Sequence, residues 1–198
     1  MRIISGKYKG KAIKAVKGVR PTQNKVRKAL FDILGDISGL SFLELFAGSG
    51  AVGFEALSLG ASDLTLVEYD RDCLLAIKKN IETFKPRVCA LFPQEAEKAI
   101  GVLYKEEKRF DIIFLDPPYY KGKALRLRSG LTATSLGDSL AKKALQILGA
   151  YYILAPNGFI VIQHFKKDEL PRESGKLVLV KEARYGDTKL SFYSDKEG

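Results

Sequence analysis

The sequence contains few of the residues that build metal clusters and disulfide frameworks. Its 198 residues include two cysteines, Cys73 and Cys89, one histidine, His164, and no CxxC pair. This scarcity argues against a Cys/His metal site, a disulfide framework and covalent catalysis by cysteine. We therefore expect no metal ion, and we expect both cysteines to be reduced residues of the core.

Long apolar runs are also absent. No stretch approaches the roughly 18 residues of a membrane-spanning helix, and the first residues lack the pattern of a secretory signal. Hydrophobic residues make up 46% of the chain and charged residues 28%, which is typical of a globular protein. We expect a cytoplasmic protein with no membrane contact, built as one α/β domain with a small appendage.

Acidic residues are missing from the first 31 positions, although the same stretch carries ten lysines and arginines. The formal net charge of +10 therefore lies in this basic segment, because the remaining residues carry 23 charges of each sign. Lysine and arginine side chains that neutralise phosphates release condensed counterions. The asymmetry thus favours a polyanionic partner over a merely solvated basic surface.

The basic segment is predicted to form a small extension ahead of the main domain. Its apolar spacing predicts a β-hairpin over Arg2–Val16. A helix is predicted to follow, with Thr22 as its N-cap and Gly35 as its end. We place this extension in residues 1–36 and the main domain in residues 37–198.

From residue 41 onward, predicted strands and helices alternate along the chain. This alternation indicates parallel βαβ units, in which helices cover both faces of a doubly wound sheet. A terminal hairpin is predicted to follow the parallel strands. The predicted strands are Ser41–Phe46, Asp63–Glu68, Val88–Leu91, Phe110–Leu115, Gly158–His164, Leu177–Ala183 and Lys189–Tyr193.

A glycine-rich turn lies between the first of these strands and the helix after it. Gly48, Gly50 and Gly53 fit the spacing GxGxxG, and Glu68 follows about 20 residues later at the end of the second strand. Glycines let a ligand approach backbone N–H groups, and the carboxylate accepts hydrogen bonds from ribose hydroxyls. A dinucleotide and S-adenosylmethionine (SAM) both fit such a turn, so it does not choose between them.

A second motif follows the strand Phe110–Leu115. The residues Asp116, Pro117, Pro118 and Tyr119 stand at its carboxyl end, which borders the ligand crevice in an open α/β sheet. The Asp116 carboxylate and the Pro117 carbonyl can accept the hydrogens of an exocyclic amine, and Tyr119 can stack on the base that carries it. The motif therefore predicts methyl transfer to the amine of a flat base.

Together these motifs resemble the bacterial small-subunit ribosomal RNA guanine-N2 methyltransferases of the RsmD type. The shared blocks span most of residues 2–120, and the basic opening joined to Arg20-Pro21-Thr22 is their most specific part. The blocks are residues 2–10 (RIISGKYKG), 20–22 (RPT), 26–27 (VR), 30–31 (LF), 45–50 (LFAGSG) and 116–119 (DPPY).

The resemblance implies a class I SAM-dependent methyltransferase fold. This fold is an α/β, Rossmann-like architecture whose doubly wound, mostly parallel sheet of seven strands ends in an antiparallel hairpin. The resemblance also implies methylation of the N2 amine of a guanine in 16S rRNA, at position 966, with SAM as cofactor and S-adenosylhomocysteine (SAH) as product. The enzyme is expected to act as a monomer on the 30S subunit or an assembly intermediate.

The resemblance assigns cofactor contacts to particular positions. Glu68 is expected to bind the ribose, and Glu95, where the family commonly has Asn or Asp, is expected to lie near the adenine. Asp116 is expected to face both the cofactor and the amine. The loop expected to border the methionine part of SAM consists of Phe46, Ala47, Gly48, Ser49 and Gly50.

Candidate RNA contacts lie in two segments, the basic extension and a predicted loop over residues 121–137. This loop is longer than is usual in the family, and Gln163-His164 replaces the more familiar Glu-His. We interpret His164 as a satisfied residue at a strand end. The candidate RNA contacts are Arg2, Lys7, Lys9, Lys11, Arg20, Thr22, Arg27, Lys121, Lys123, Arg126 and Arg128.

Three other functions remain open from the sequence. A DNA adenine-N6 or cytosine-N4 methyltransferase uses the same tetrapeptide, although 198 residues leave little room for a target-recognition region. An NAD-linked oxidoreductase would explain the glycine turn and Glu68, but it would leave residues 116–119 and the basic segment unexplained. A ribosome-binding module without catalysis would keep the fold alone.

Overall fold

One mixed sheet organises the chain. The computed structural model describes residues 1–16, 23–118 and 140–196, and within them eight strands follow the order β3-β2-β1-β4-β5-β8-β7-β6. The first five strands are parallel to one another, and the last three are antiparallel to their neighbours. The strands are β1 (Ser41–Leu45), β2 (Asp63–Glu68), β3 (Cys89–Pro93), β4 (Phe110–Leu115), β5 (Leu154–Phe165), β6 (Glu173–Ser174), β7 (Leu177–Tyr185) and β8 (Thr188–Asp195).

Helices cover both faces of this sheet, as the alternating pattern predicted. On one face α1, α2 and α3 pack against alternate residues of the strands, among them Phe42, Leu64 and Phe114. On the other face α4 and α5 pack against the intervening residues, such as Leu43 and Leu115. The helices are α1 (Asn24–Leu34), α2 (Ala51–Ser58), α3 (Arg71–Phe84), α4 (Ala96–Lys105) and α5 (Leu140–Ala150). The predicted Rossmann-like α/β architecture is therefore confirmed.

The strand boundaries agree closely with the predicted ones, and the differences have local causes. β2 and β4 match the prediction at both ends. β1 ends one residue early because Phe46 has a φ of 58°, which is incompatible with an extended strand. β5 begins at Leu154 rather than Gly158, because Leu154 pairs with Phe110 ahead of a register shift. The two-residue β6 raises the number of strands from the predicted seven to eight.

The extension differs more from its prediction. Within residues 1–16 the predicted hairpin is reduced to one isolated bridge between Arg2 and Ala12. The two sides of the turn still exchange backbone hydrogen bonds, from Ile3 N–H to Lys11 C=O (3.0 Å) and from Ile13 N–H to Met1 C=O (2.9 Å). Four other N–H groups bond instead to side chains of α2 and α3, which limits the ladder. Helix α1 ends before Gly35 as predicted, but its N-cap is Gln23, so the predicted N-cap Thr22 is wrong. The assignment of residues 1–36 as a separate unit stays a prediction.

The extension nevertheless shares its core with the sheet. Ile3 and Ile13 are buried in the same cluster as Phe54 and Phe84, and the ring of Tyr8 lies edge-on to Phe84. Burial of apolar side chains stabilises by roughly 25 cal/mol per Å² of area removed from water. The first 16 residues are therefore anchored on α2 and α3, with their basic side chains exposed to solvent. No helix in the described ranges combines the length and apolarity of a membrane span.

Candidate active site

The crevice lies where the direction of strand order reverses. β1 and β4 are neighbours, and the sheet continues from β1 through β2 and from β4 through β5. Ligands of open α/β sheets bind at such a switch point, outside the carboxyl ends of the strands. The residues that follow β1 and β4 there are Phe46–Gly50 and Asp116–Pro118, so the structure brings the two predicted motifs together.

The loop after β1 is held in an unusual backbone conformation. Phe46 has a φ of 58°, a left-handed value that costs energy for a residue with a side chain, and Gly48 and Gly50 have φ values of 57° and 74°. The loop is fixed by hydrogen bonds from Ala47 N–H to Val67 C=O (3.0 Å) and from Gly50 N–H to Ala47 C=O (2.7 Å). A strained loop that the fold over-determines is typical of a ligand site.

Glu68 lies at the end of β2 beside this loop and is largely buried. One carboxylate oxygen accepts the N–H of Gly48 at 2.7 Å, and the other accepts the N–H groups of Tyr69 and Asp70 at 2.8 and 2.9 Å. A carboxylate offers about four lone-pair positions, so these three bonds leave acceptor capacity for a ligand hydroxyl. The arrangement ties the predicted ribose-binding carboxylate to the predicted cofactor loop.

A second buried carboxylate, Glu44, was missed by the sequence analysis. It lies in the middle of β1, and its Oε2 accepts the N–H of Gly53 at 2.8 Å in the first turn of α2. Burial and, to a smaller extent, the negative charge of Asp116 raise the pKa of Glu44 to about 8. Bonds from Gly53 and Val52 N–H groups and the charge of Arg27 oppose the rise. The signal available in the sequence was an acidic residue inside an otherwise apolar strand.

The raised pKa of Glu44 predicts a pH dependence of stability in the ligand-free protein. Between the ordinary carboxyl pKa of 4.5 and about 8, the folded protein holds a proton that the unfolded chain lacks. The free energy of unfolding should therefore fall as pH rises through this window, by up to about 1.4 kcal/mol per unit. Urea denaturation from pH 5 to 8.5 measures the slope, and Glu44→Gln should remove it. If stability falls with pH at the same slope in both proteins, Glu44 is not the group responsible.

Gly53 is required by close packing. A Cβ there would lie 2.5 Å from Cδ1 of Leu64 and 2.8 Å from Oε2 of Glu44. Gly53→Ala should lower the free energy of unfolding by about 1–3 kcal/mol, because the core has no room for the methyl group. Gly101→Ala is the matched control, since Gly101 also lies in a helix and no atom of the described residues lies within 4 Å of its Cβ position. The control should be neutral or stabilising by roughly 0.5–1 kcal/mol. Equal losses of stability in the two variants, measured by thermal denaturation, would refute close packing at Gly53.

The second motif follows β4 directly. Asp116 is half-buried and lies close enough to Glu44 for its charge to raise the pKa of Glu44. Pro117 is buried and Pro118 is exposed. Tyr119 lies outside the described residues. Glu95 is the N-cap residue of α4 just beyond β3, and its partly exposed carboxylate lies 3.2 Å from the amine of Lys98.

The end of β5 adds two buried polar residues to this edge. Ile162 pairs with Leu115, which places Gln163 alongside Asp116. The Oε1 of Gln163 is buried and has no hydrogen-bond partner among the described residues. His164 is fully buried, and its Nε2 lies 2.8 Å from the hydroxyl of Ser191, which agrees with a satisfied residue at a strand end. Burial lowers the pKa of His164.

The predicted RNA contacts have different surroundings. Arg2, Lys7, Lys9 and Lys11 are exposed, and the amine of Lys11 donates to the carbonyl of Thr83 at 2.7 Å. Arg27, in contrast, is fully buried rather than on the surface. The other candidates lie outside the described residues, as does the predicted loop over 121–137; these candidates are Arg20, Thr22, Lys121, Lys123, Arg126 and Arg128.

Arg27 holds the first residues of the chain in place. Its Nε lies 3.1 Å from Oε2 of Glu55 as an ionic contact, and its Nη2 donates to the carbonyl of Arg2 at 2.6 Å. Glu55 in turn accepts the N–H groups of Ile4 and Ser5. Desolvation by burial lowers the pKa of Arg27, whereas the charges of Glu55 and Glu44 oppose this shift. The buried pair therefore connects α1, α2 and the chain start.

The charge of the crevice favours a cationic ligand. Phosphates bind at helix N-termini because free N–H groups point toward them. At α2 the Gly53 N–H instead donates to Glu44, which burial keeps largely protonated near neutral pH, and Asp116 places a negative charge nearby. A dinucleotide pyrophosphate would face that charge, whereas the sulfonium and ammonium groups of SAM would complement it. The residues present thus fit SAM better than NAD.

Comparison with known proteins agrees with this geometry. A family model described as Conserved hypothetical protein 95 matches residues 1–194. The chain is 36% identical to the putative rRNA methyltransferase YlbH of Bacillus subtilis over 197 residues, 98% of each chain. It is 33% identical to the ribosomal RNA small subunit methyltransferase D of Buchnera aphidicola over 174 residues, covering 85% of this chain and 80% of that protein. The solved structure of the putative methyltransferase yhhF from Escherichia coli has a TM-score of 0.78 and 26% identity, covering 100% of this chain and 99% of that chain.

Proposed function

The chain belongs to the Conserved hypothetical protein 95 family of RsmD-type, SAM-dependent methyltransferases, and we propose that it methylates the N2 amine of a guanine in 16S rRNA. The target by family analogy is the guanine at position 966. The observation that carries the proposal is the crevice itself, where Asp116 and Pro117 meet a strained loop and buried Glu44. The confirmed resemblance supplies the RNA substrate class.

The residues proposed to hold the cofactor lie on three neighbouring loops. Phe46–Gly50 would border its methionine part, Glu68 would accept from the ribose hydroxyls, and Glu95 would lie near the adenine. The bound cofactor supplies a methyl group on a sulfonium, which an amine nitrogen can attack. The negative charge of Asp116 supports binding of that cation, since opposite charges attract strongly at low solvent exposure.

The proposed role of Asp116 and Pro117 is to orient the acceptor amine. The carboxylate and the carbonyl accept its two hydrogens and direct the nitrogen lone pair toward the methyl carbon. In a single displacement the N–C bond would form as the S–C bond breaks, with SAH as the leaving group, and the cationic amine would then release its proton to water. Orientation of this kind can contribute up to roughly 7–11 kcal/mol. Pro118 completes the rigid turn, and Tyr119 is proposed to stack on the guanine.

The exposed basic residues of the extension are proposed to bind the RNA backbone. Arg2, Lys7 and Lys9 point into solvent from a backbone that α2 and α3 hold in place. The same role is proposed for Lys11, Arg20, Thr22, Lys121, Lys123, Arg126 and Arg128. Arg27 is proposed to act indirectly, by fixing the extension.

Transfer of labelled methyl groups from SAM tests this function. We also propose that the protein is a cytoplasmic monomer. The protein is incubated in parallel with unmethylated 30S subunits, naked 16S rRNA and duplex DNA, and the labelled base is identified by nucleoside analysis. Label in N2-methylguanine of the RNA or the subunit is the expected result, and the better substrate of the two is the natural one. Label in adenine or cytosine of DNA, or no label in any substrate, would refute the proposal.

A further inference from the structure

We infer that Asn80 is a positioning residue that couples binding of RNA at residues 1–16, the N-terminal arm, to binding of the cofactor at Phe46–Gly50, the cofactor loop. The inference deepens the proposed function and rests on it, because it takes the arm as an RNA site and the loop as a cofactor site. Asn80 lies in α3, outside both segments, and none of the sequence motifs includes it.

The side chain of Asn80 hydrogen-bonds to both segments at once. Its Oδ1 accepts the N–H of Lys14 at 2.8 Å, and its Nδ2 donates to the carbonyl of Lys14 at 3.1 Å. The same Nδ2 donates to the carbonyl of Ser49 at 2.9 Å. Because an amide nitrogen has two hydrogens, both donors are used, one on the arm and one on the loop.

Because Asn80 is buried, loss of one of its hydrogen bonds is costly. Asn80 is 1% exposed, so water does not replace a bond that is lost when either segment moves. A buried polar group without its partner costs about 1–3 kcal/mol, so displacement of either segment is unfavourable by about this amount. The arm and the loop therefore favour each other's observed positions through one side chain.

Other arm anchors lack the second connection. The hydroxyl of Ser58 accepts the N–H of Tyr8 at 2.8 Å and donates to the carbonyl of Ser5 at 2.5 Å. These are bonds between the arm and α2, and they do not involve the loop carbonyls. Ser58 thus provides a matched position where arm contacts can be removed while the contact to Ser49 stays in place.

The physical consequence is a coupling between two ligands. Phosphates bound to the exposed arm lysines restrain the arm, and Asn80 transmits that restraint to the loop at Ser49. A cofactor that binds the ordered loop then pays less ordering entropy. The effect must be reciprocal, and couplings of this kind are typically about 5- to 150-fold in affinity.

The test measures the affinity of the full chain for SAH with and without saturating naked 16S rRNA. SAH lacks the sulfonium charge, so direct attraction between cofactor and RNA is removed, and no turnover occurs. In the parent protein we expect rRNA to tighten SAH binding about fivefold or more. In Asn80→Asp the ratio should fall to about one, because the carboxylate keeps the acceptor toward Lys14 N–H but repels the two carbonyls.

Ser58→Ala serves as the control, and it should keep the ratio of the parent protein even where its melting temperature falls. If Asn80 had only a structural role, Asn80→Asp would lower stability, and it would lower SAH affinity by the same factor with and without rRNA. An unchanged ratio in Asn80→Asp, or a ratio of one in the parent protein, would overturn the inference.

A measurement on the parent protein covers the case in which Asn80→Asp does not fold. Addition of rRNA without cofactor should slow hydrogen exchange at the amides of residues 48–51, and unchanged exchange there would overturn the inference. The two proposals fail differently. Binding of rRNA without coupling refutes the inference alone, whereas label transfer to DNA with coupling intact refutes the proposed guanine substrate alone.

Discussion

Replacing Asp116 with asparagine or alanine should lower the rate of methyl transfer by a factor on the order of 10²–10³, while SAH binding changes little. The carboxylate accepts a hydrogen of the acceptor amine and offsets the positive charge that develops on nitrogen, and loss of one such group typically costs this much. Single-turnover transfer to rRNA measures the rate, and calorimetric titration measures SAH binding.

A control on the same strand makes the result specific. Asp116 directly follows β4, whereas Asp111 lies near the start of β4, where its carboxylate accepts the N–H and hydroxyl of Ser41 at 2.8 and 2.6 Å. Asp111→Asn should lower stability and leave the rate per folded molecule unchanged. A rate within threefold of the parent value for Asp116→Asn would exclude the proposed role of this carboxylate.

The same variant has a second expected effect that does not depend on activity. The charge of Asp116 raises the pKa of Glu44, so its removal should lower that pKa. The window in which stability falls with rising pH should therefore end at a lower pH in Asp116→Asn than in the parent protein. This readout links the two carboxylates even if the natural substrate differs from the proposed one.

The sheet could be predicted because its signals are local. Apolar strands, glycine turns and helical spacing repeat along the chain, and strand ends of β2 and β4 follow from them directly. The grouping of Glu68 and Asp116 at one edge was predictable as well, since parallel strands present their carboxyl ends to the same crevice.

The residues that organise the site from the interior were not predictable in the same way. Asn80 lies 31 positions from Ser49 and 66 from Lys14, so no spacing in the sequence reveals its bonds. Glu44 is visible in the sequence as an acidic residue in an apolar strand, but its contact with Gly53 is seen only in the fold. A buried polar group is recognised by its partners, and these partners are brought together only by the tertiary fold.

Arg27 illustrates how composition can mislead. It belongs to a run of basic residues with no acid before Asp32, and charge alone assigns it to the RNA surface. Its position in α1, however, falls on the apolar stripe with Val26 and Leu30, where a helical residue faces the core. The partner that makes this burial tolerable, Glu55, lies on another helix and could not be inferred from the arm alone.

Arg27→Met should therefore lower the free energy of unfolding by about 3–5 kcal/mol, because it leaves Glu55 buried without its counter-charge. Lys28→Met is the matched control in the same helix. Lys28 pairs with Asp32 at 2.7 Å, but both side chains are about 60% exposed, and such a pair contributes no more than about 0.5 kcal/mol. Urea denaturation distinguishes the two variants.

The salt dependence of rRNA binding separates the structural role of Arg27 from a direct phosphate contact. Loss of a phosphate contact reduces the slope of log affinity against log salt concentration by about one. Arg27→Met, measured where it is fully folded, should keep the slope of the parent protein, whereas Lys7→Met should reduce it. A reduced slope in Arg27→Met would mean that Arg27 leaves Glu55 to meet the RNA. In that event the buried pair would have to open when the substrate binds.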